Sequence, residues 1–328
     1  MRPDIGERPD VVVVGGAGHV GLPLSLLLAR AGQRVGILDV NEDALDVIAS
    51  GRMPFLERGA DEILAEVLPT GRLTFSTDVS MIEHVRTVIV IIGTPIDEFM
   101  NPSMTLFDSV IDELMPHFAE DALLILRSTV FPGTTLHVQR KFKAANVKAR
   151  VAFCPERIAE GHAIEELQSL PQVVGADDPL TMQRTTDLFT SIGAQSVPVT
   201  AAEAEFTKLF TNAWRYMKFA VANQFFMIAN EAGQDYDRIL HAIKHDYPRA
   251  ADLPGPGFAA GPCLLKDTMQ LASFTPDHFP MGQSARQINE GLPSYLVTRM
   301  ERRFGDMLGK KIGILGMAFK GESDDPRD

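Results

Sequence analysis

The stretch DVVVVGGAGHVGLPLSLLLARAGQRVGILDVNEDAL, beginning at Asp10, constrains the fold more than any other part of the chain. A β-branched run turns through glycines, continues with apolar residues at helical spacing and ends in a second apolar run, so the segment reads as a βαβ unit. Gly16, Gly18 and Gly21 stand as GxGxxG at the first strand-to-helix turn. The first glycine is expected to permit the tight turn, the second to let backbone approach a pyrophosphate, and the third to let helix and strand pack closely. His19 and Val20 lie between the last two glycines and count with them as cofactor contacts. The helix N-terminus then faces the phosphates. Asp39 closes the second run at about the 20-residue separation expected of a carboxylate that accepts hydrogen bonds from an adenosine ribose. Together these features point to NAD rather than NADP.

The runs TVIVIIGTP, ALLILRSTV, VAFCPER and PQVVGA follow, alternating with helical stretches. That alternation is the pattern of a parallel sheet covered on both faces. The expected class is α/β, with an N-terminal Rossmann-type doubly wound parallel sheet over residues 1–200. Thr94 and Thr129 end two of the runs, and such sheets bind ligands beyond the carboxyl ends of their strands. Plain turn chemistry would also put hydroxyls there. Cys154 sits in an apolar run and reads as a packed core thiol.

From Ala201 the sequence AAEAEFTKLFTNAWRYMKFAVANQFFMIANEAG has no proline, shows helical spacing and stops at Gly233. It predicts one long central helix opening a helical middle domain over 201–305. Its apolar content exceeds a single stripe, which suits a helix that packs several neighbours and supports a homodimer. Lys208, Asn212 and Arg215 recur at spacings that place them on one helical face. They could converge on a ligand, or form a solvated polar face with Lys208 paired to Glu205 or Glu203.

The formal charge of -12, without a basic run, argues against a nucleic-acid partner. The start, MRPDIGERPD, matches neither a signal peptide nor a membrane span, so a cytoplasmic protein without a membrane partner is expected. Cys154 and Cys263 lie too far apart for metal-ligand spacing or a disulfide framework, and no metal is expected.

Cys263 stands in GPGFAAGPCLLKD, residues 255–267. With GGAGHVGLP, GTP at 93–95, STVFPGTT at 128–135, CPERIAEG at 154–161, EFTKLFTNA at 205–213 and the final GMAFKGESDDPRD, this motif resembles the UDP-glucose/GDP-mannose dehydrogenase family of nucleotide-sugar 6-dehydrogenases. Pro155-Glu156-Arg157, Arg215 and YPRAADL with Arg249 resemble its UDP-N-acetyl-D-mannosamine dehydrogenase branch. The resemblance implies NAD-dependent four-electron oxidation of the C6 alcohol of a UDP-N-acetylhexosamine to the uronic acid. UDP-glucose as substrate and a catalytically silent NAD-binding module are the alternatives.

By the same resemblance Cys263 is the nucleophile, passing through a thiohemiacetal and a thioester. Lys208 and Asn212 hold the oxyanion, Glu160 serves the hydrolytic water, and Thr129 and Asp267 belong to a proton network. Thr94, Thr129, Lys266 and Arg327 are implied as cofactor contacts. Glu156, Arg157, Lys208, Asn212, Arg215, Arg249, Gly257, Phe319 and Lys320 are implied as substrate contacts. The chain departs from the family at Ala260-Gly261-Pro262, where GGxC is usual, and at Gln224, where glutamate is common. Pro262 removes a backbone donor beside the thiol. KKIGILGMAFKGESDDPRD resembles the first strand and turn of the family's UDP-binding domain. Residues 306–328 are therefore expected to begin a second, truncated Rossmann-like domain, and the chain to be a fragment.

Overall fold

Val11–Val14 (β1) is buried along its whole length and alternates between two cores. Val11 and Val13 face one, Val12 and Val14 the other, as a strand covered on both faces requires. The computed structural model describes residues 8–94, 104–259, 261 and 263–314. After β1 come α1 (Gly21–Arg30), β2 (Val35–Leu38), α2 (Glu42–Ala49), α3 (Ala60–Val67) and β3 (Leu73–Ser76). Then follow β4 (Thr87–Val90), α4 (Thr105–Leu114), β5 (Leu123–Leu126), α5 (Thr134–Ala144) and β6 (Arg150–Phe153). The sheet is completed by α6 (Ala163–Ser169), β7 (Gln172–Gly175), α7 (Pro179–Ser191) and β8 (Ser196–Val199).

The strand order is β3-β2-β1-β4-β5-β6-β7-β8, and the chain reverses its direction of travel across the sheet between β1 and β4. In such sheets the ligand crevice lies beyond the carboxyl ends at that switch. The first six strands pair in parallel, as the alternating runs predict. VAFCPER and PQVVGA depart from that expectation: β6 and β7 pair antiparallel, and only through Phe153 and Gly175. Gly175 permits the approach, since an added Cβ would stand 2.9 Å from the Phe153 carbonyl oxygen and against the Ala204 methyl. β8 then pairs parallel to β7.

The chain divides into two compact units, the first taking in the described residues up to Lys208 and the second those from Leu209 on. The predicted long helix is α8 (Ala201–Glu231), which begins in the first unit and continues in the second. The second unit also holds α9 (Tyr236–Lys244), α10 (Leu264–Phe274) and α11 (Pro280–Phe304). Tyr216, Ala220, Leu264 and Ala285, drawn from α8, α10 and α11, form its core. Of IGILGMAF, Ile312, Gly313 and Ile314 form no strand, and the remainder lies outside the described residues. No helix among the described residues is long and apolar enough to cross a membrane.

Candidate active site

In the first unit the carboxyl ends of β1, β2, β4, β5 and β6 deliver the sequence-predicted residues to one edge of the sheet. The turn after β1 differs from its expected division of labour. The left-handed residue is Gly15, at φ 76°, and an added Cβ there would run into the Ile91 carbonyl. Gly16 is instead a packing glycine, because its Cβ would stand 2.7 Å from the Val13 carbonyl oxygen and 3.0 Å from Ile37. The requirement for positive φ thus lies one residue before the motif's first glycine.

Gly18 is open, its nearest neighbour being 3.6 Å from a built Cβ, and Gly21 has no room because Gly15 and Gly16 backbone fills the space. The result is a bare backbone approach at Gly18 shortly before the positive end of α1. Within that first turn the Leu22 and Leu24 amides go to the Gly18 and Val20 carbonyls, and Pro23 has no amide hydrogen. Asp39, one residue past β2, accepts from the Ala17 amide at 3.0 Å and from the Asn41 amide at 3.0 Å. Its carboxylate both braces the turn and keeps lone pairs for a ribose. A dinucleotide fits this arrangement. His19 is held by stacking on Phe55, with ring centroids 4.1 Å apart and planes inclined by 22°.

Thr94 lies beyond β4 and donates from its hydroxyl to the Thr129 carbonyl at 2.6 Å, joining the loops that follow β4 and β5. The neighbouring Ser128 Oγ accepts the Ile92 amide at 2.8 Å. Both threonines are loop residues rather than strand ends.

After β6 the loop CPERIAEG is held by carboxylates. Glu156 is buried and ion-paired with Arg127, and its Oε1 accepts from the amides of Arg157 at 2.6 Å and Ile158 at 3.0 Å. The Arg157 guanidinium donates to the Pro171 carbonyl. Glu166 Oε2 accepts the Ala159 amide at 2.5 Å, and Glu57 Oε2 accepts the Gly161 amide at 3.0 Å. Glu160 stands half-buried between these two fixed amides.

Lys208 pairs with neither Glu205 nor Glu203. Its ammonium donates to the Glu156 carbonyl oxygen at 2.6 Å, whereas Glu205 is buried against the N-terminus of α5. There it accepts from the amides of Gly133 at 2.6 Å and Thr135 at 2.7 Å. A carboxylate at a helix N-terminus satisfies donors that the helix cannot.

In the second unit Cys263 is exposed immediately ahead of α10, at the helix end that stabilises anions. Its carbonyl accepts the Asp267 amide at 2.9 Å. Asp267, fully buried one turn into the helix, accepts from Asn212 Nδ2 at 2.5 Å and lies 3.4 Å from the Lys266 ammonium. Cys154 contrasts with Cys263. It is fully buried, and burial pushes its thiol up to about 12, so it is a core thiol.

Gly257 is gripped by Asn223, which accepts its amide at 2.8 Å and donates to its carbonyl at 2.9 Å. Asn289 Oδ1 accepts the second Nδ2 hydrogen at 2.9 Å. Arg215 and Arg249 are exposed, with the Arg249 guanidinium 6.0 Å from the Tyr247 ring centroid. Arg327, Phe319, Lys320, Ala260, Pro262 and Pro95 lie outside the described residues.

Sequence reasoning missed Arg127, Glu57 and Glu205 as holders of the first unit's loops, and Asn223 as the holder of Gly257 in the second. Only Arg127 advertises itself, as a lone cation at the end of the buried run ALLIL.

A doubly wound sheet with a bare glycine turn at its switch point and an acid after β2 is the dinucleotide-binding fold of the dehydrogenases. Sequence comparison narrows this class. The profile of the UDP-glucose/GDP-mannose dehydrogenase family matches over its NAD binding domain at residues 10–193 and over its central domain at 202–291. The chain belongs to that family: it is a nucleotide-sugar dehydrogenase whose cofactor is NAD.

Among its relatives, the UDP-N-acetyl-D-mannosamine dehydrogenase of Pyrococcus horikoshii is 30% identical over 97% of this chain and 78% of that protein. The NDP-N-acetyl-D-galactosaminuronic acid dehydrogenase of Ralstonia nicotianae is 28% identical over 99% of this chain and 78% of its own length. Among solved structures, a UDP-glucose dehydrogenase from Pyrobaculum islandicum superposes with a TM-score of 0.89 at 27% identity, covering 100% of this chain and 78% of that one.

Proposed function

We propose that the chain oxidises the C6 alcohol of a UDP-N-acetylhexosamine, UDP-N-acetyl-D-mannosamine above the others, to the uronic acid, with Cys263 as nucleophile. The observation that carries this reading is the arrangement at α10: an exposed thiol ahead of the helix, and a buried carboxylate one turn in that is bonded to Asn212. NAD supplies the hydride acceptor for both oxidations, so two NADH form per sugar.

Removal of a hydride and a proton from the alcohol gives the aldehyde. The Cys263 thiolate adds to its carbon, and the oxygen takes a proton to form a thiohemiacetal. Loss of that proton and a second hydride leaves a thioester. Water then cleaves the C–S bond, giving the carboxylate and returning the thiol.

Lys208 and Asn212 donate to the developing oxyanion. Glu160 orients the water, and Thr129 and Asp267 relay protons near the reacting carbon. Lys266, Thr94, Gly16, Gly18, His19, Val20, Gly21 and Asp39 serve the cofactor. Arg157, Arg215, Arg249 and Gly257 serve the substrate, together with Glu156, which acts through its backbone because its carboxylate is already engaged. The names of the Pyrococcus and Ralstonia relatives favour an acetamido sugar.

The expected result is two NADH per UDP-N-acetyl-D-mannosamine, with kcat/KM for UDP-glucose about tenfold lower or less. Equal or better use of UDP-glucose would transfer the reading to a UDP-glucose 6-dehydrogenase, and no NADH with either sugar would reject both.

The reading includes a homodimer through α8, which exposes Phe210, Trp214, Val221, Phe225 and Ile228 at spacings that form one stripe. Trp214→Glu is expected to convert dimer to monomer in light scattering after gel filtration. A parent chain that runs as a monomer would refute this seam.

A further inference from the structure

The segment between α2 and α3 carries none of the motifs above, yet two of its side chains reach separate parts of the first unit's site. Phe55 stacks on His19 of the dinucleotide turn. Glu57, only 5% exposed, accepts the Gly161 amide at 3.0 Å and the Ile164 amide at 3.4 Å, more than 100 positions further along the chain. The amide of Arg58 donates back to the Gly161 carbonyl at 3.3 Å. Burial pushes the Glu57 carboxyl up, with the amides of Ile164, Gly161 and Ala163 opposing it. A buried carboxylate is retained only where such donors compensate its lost hydration.

What those donors belong to gives Glu57 its meaning. The amides of Arg157 and Ile158 go to Glu156 and that of Ala159 to Glu166, so the loop before Glu160 is fixed from within itself and from α6. After Glu160 the chain enters the left-handed region at Gly161, φ 82°, and the carboxylate that holds it comes from outside the loop.

We propose that Glu57 is a positioning residue for Glu160, and that the segment from Phe55 to Glu57 is a strap tying the Glu160 loop to the dinucleotide turn at His19. This rests on the reading of Glu160 as the group that orients the hydrolytic water. A loosened Glu160 then slows thioester hydrolysis, while the thiol chemistry that precedes it proceeds.

Glu57→Gln preserves size but turns an amide NH2 toward one of two backbone donors. Hydrogen exchange at the Gly161 and Ile164 amides is expected to quicken about tenfold, with β5 and β6 unaltered. NAD affinity should stay within about twofold, turnover should fall about tenfold, and a thioester adduct should accumulate on Cys263 after a burst of two NADH. Glu57→Asp should recover part of both effects, and carries the exchange measurement if the glutamine variant does not fold.

Phe55→Ala should quicken exchange at Gly161 and weaken NAD binding by about three- to tenfold. Unchanged exchange at Gly161 and Ile164 in the Glu57 variants overturns the positioning role, as does slowing of every step with no adduct. Unchanged exchange in Phe55→Ala overturns the strap. A parent that reduces no NAD with any UDP-sugar rejects the proposed function instead, and the exchange data still decide whether Glu57 holds the loop.

Discussion

Cys263→Ser is expected to abolish carboxylate formation, by roughly 10³-fold or more, while NAD affinity stays within about twofold of the parent. A serine hydroxyl is almost wholly protonated at neutral pH and adds poorly to an aldehyde, and the ester it would form is less readily cleaved than a thioester. The loss should therefore fall on the covalent steps. Binding should be spared because the bare turn at Gly18 and the Asp39 carboxylate offer the cofactor its contacts without the thiol. Cys154 offers no substitute, since its fully buried thiol is pushed up to about 12 and stays protonated. Carboxylate measured by mass spectrometry and NAD binding measured by fluorescence separate the two effects. Carboxylate formation above a tenth of the parent rate would remove Cys263 from the nucleophile's role.

What the sequence revealed and what it hid divide along chain separation. β1, α1 and β2 were legible because their apolar spacing and glycines lie within one short segment, and α8 because its period runs unbroken to Glu231. Gly16 and Gly15 cannot be told apart in their tasks from sequence, because what crowds Gly15 is the Ile91 carbonyl, one residue past β4 and distant along the chain. The antiparallel turn of β7 was hidden because Val173 and Val174 have the same apolar character in either direction. Glu57 carries no sequence signal and Gly161 only closes the motif CPERIAEG, since their bond spans 104 positions of sequence. Helical spacing offers Lys208 either a ligand or its neighbours Glu203 and Glu205, yet those acids serve Thr200 and the N-terminus of α5. Periodicity reports an element and its buried face; it carries no record of which distant backbone donors a side chain meets.

Arg127→Met is expected to destabilise the folded chain by about 3–5 kcal/mol, seen as a fall of about 10 °C in the melting temperature. Arg127 is 1% exposed, and its guanidinium is ion-paired with Glu156, bonded to Gln172 Oε1 at 3.3 Å and 4.9 Å from the Phe189 ring centroid. Methionine fills much of that volume but leaves the Glu156 carboxylate buried with only the Arg157 and Ile158 amides. An uncompensated buried charge is the source of the cost, because attraction between the original pair was offset in large part by the hydration both groups gave up. Arg127→Met with Glu156→Gln should therefore recover more than half of the loss, and the excess over additivity measures the coupling. The same change should weaken the anchor of Lys208, whose ammonium is held at 2.6 Å by the Glu156 carbonyl oxygen. A single variant within about 1 kcal/mol of the parent would mean that water or a shifted side chain neutralises Glu156, and that Arg127 does not hold the loop on which Glu160 stands.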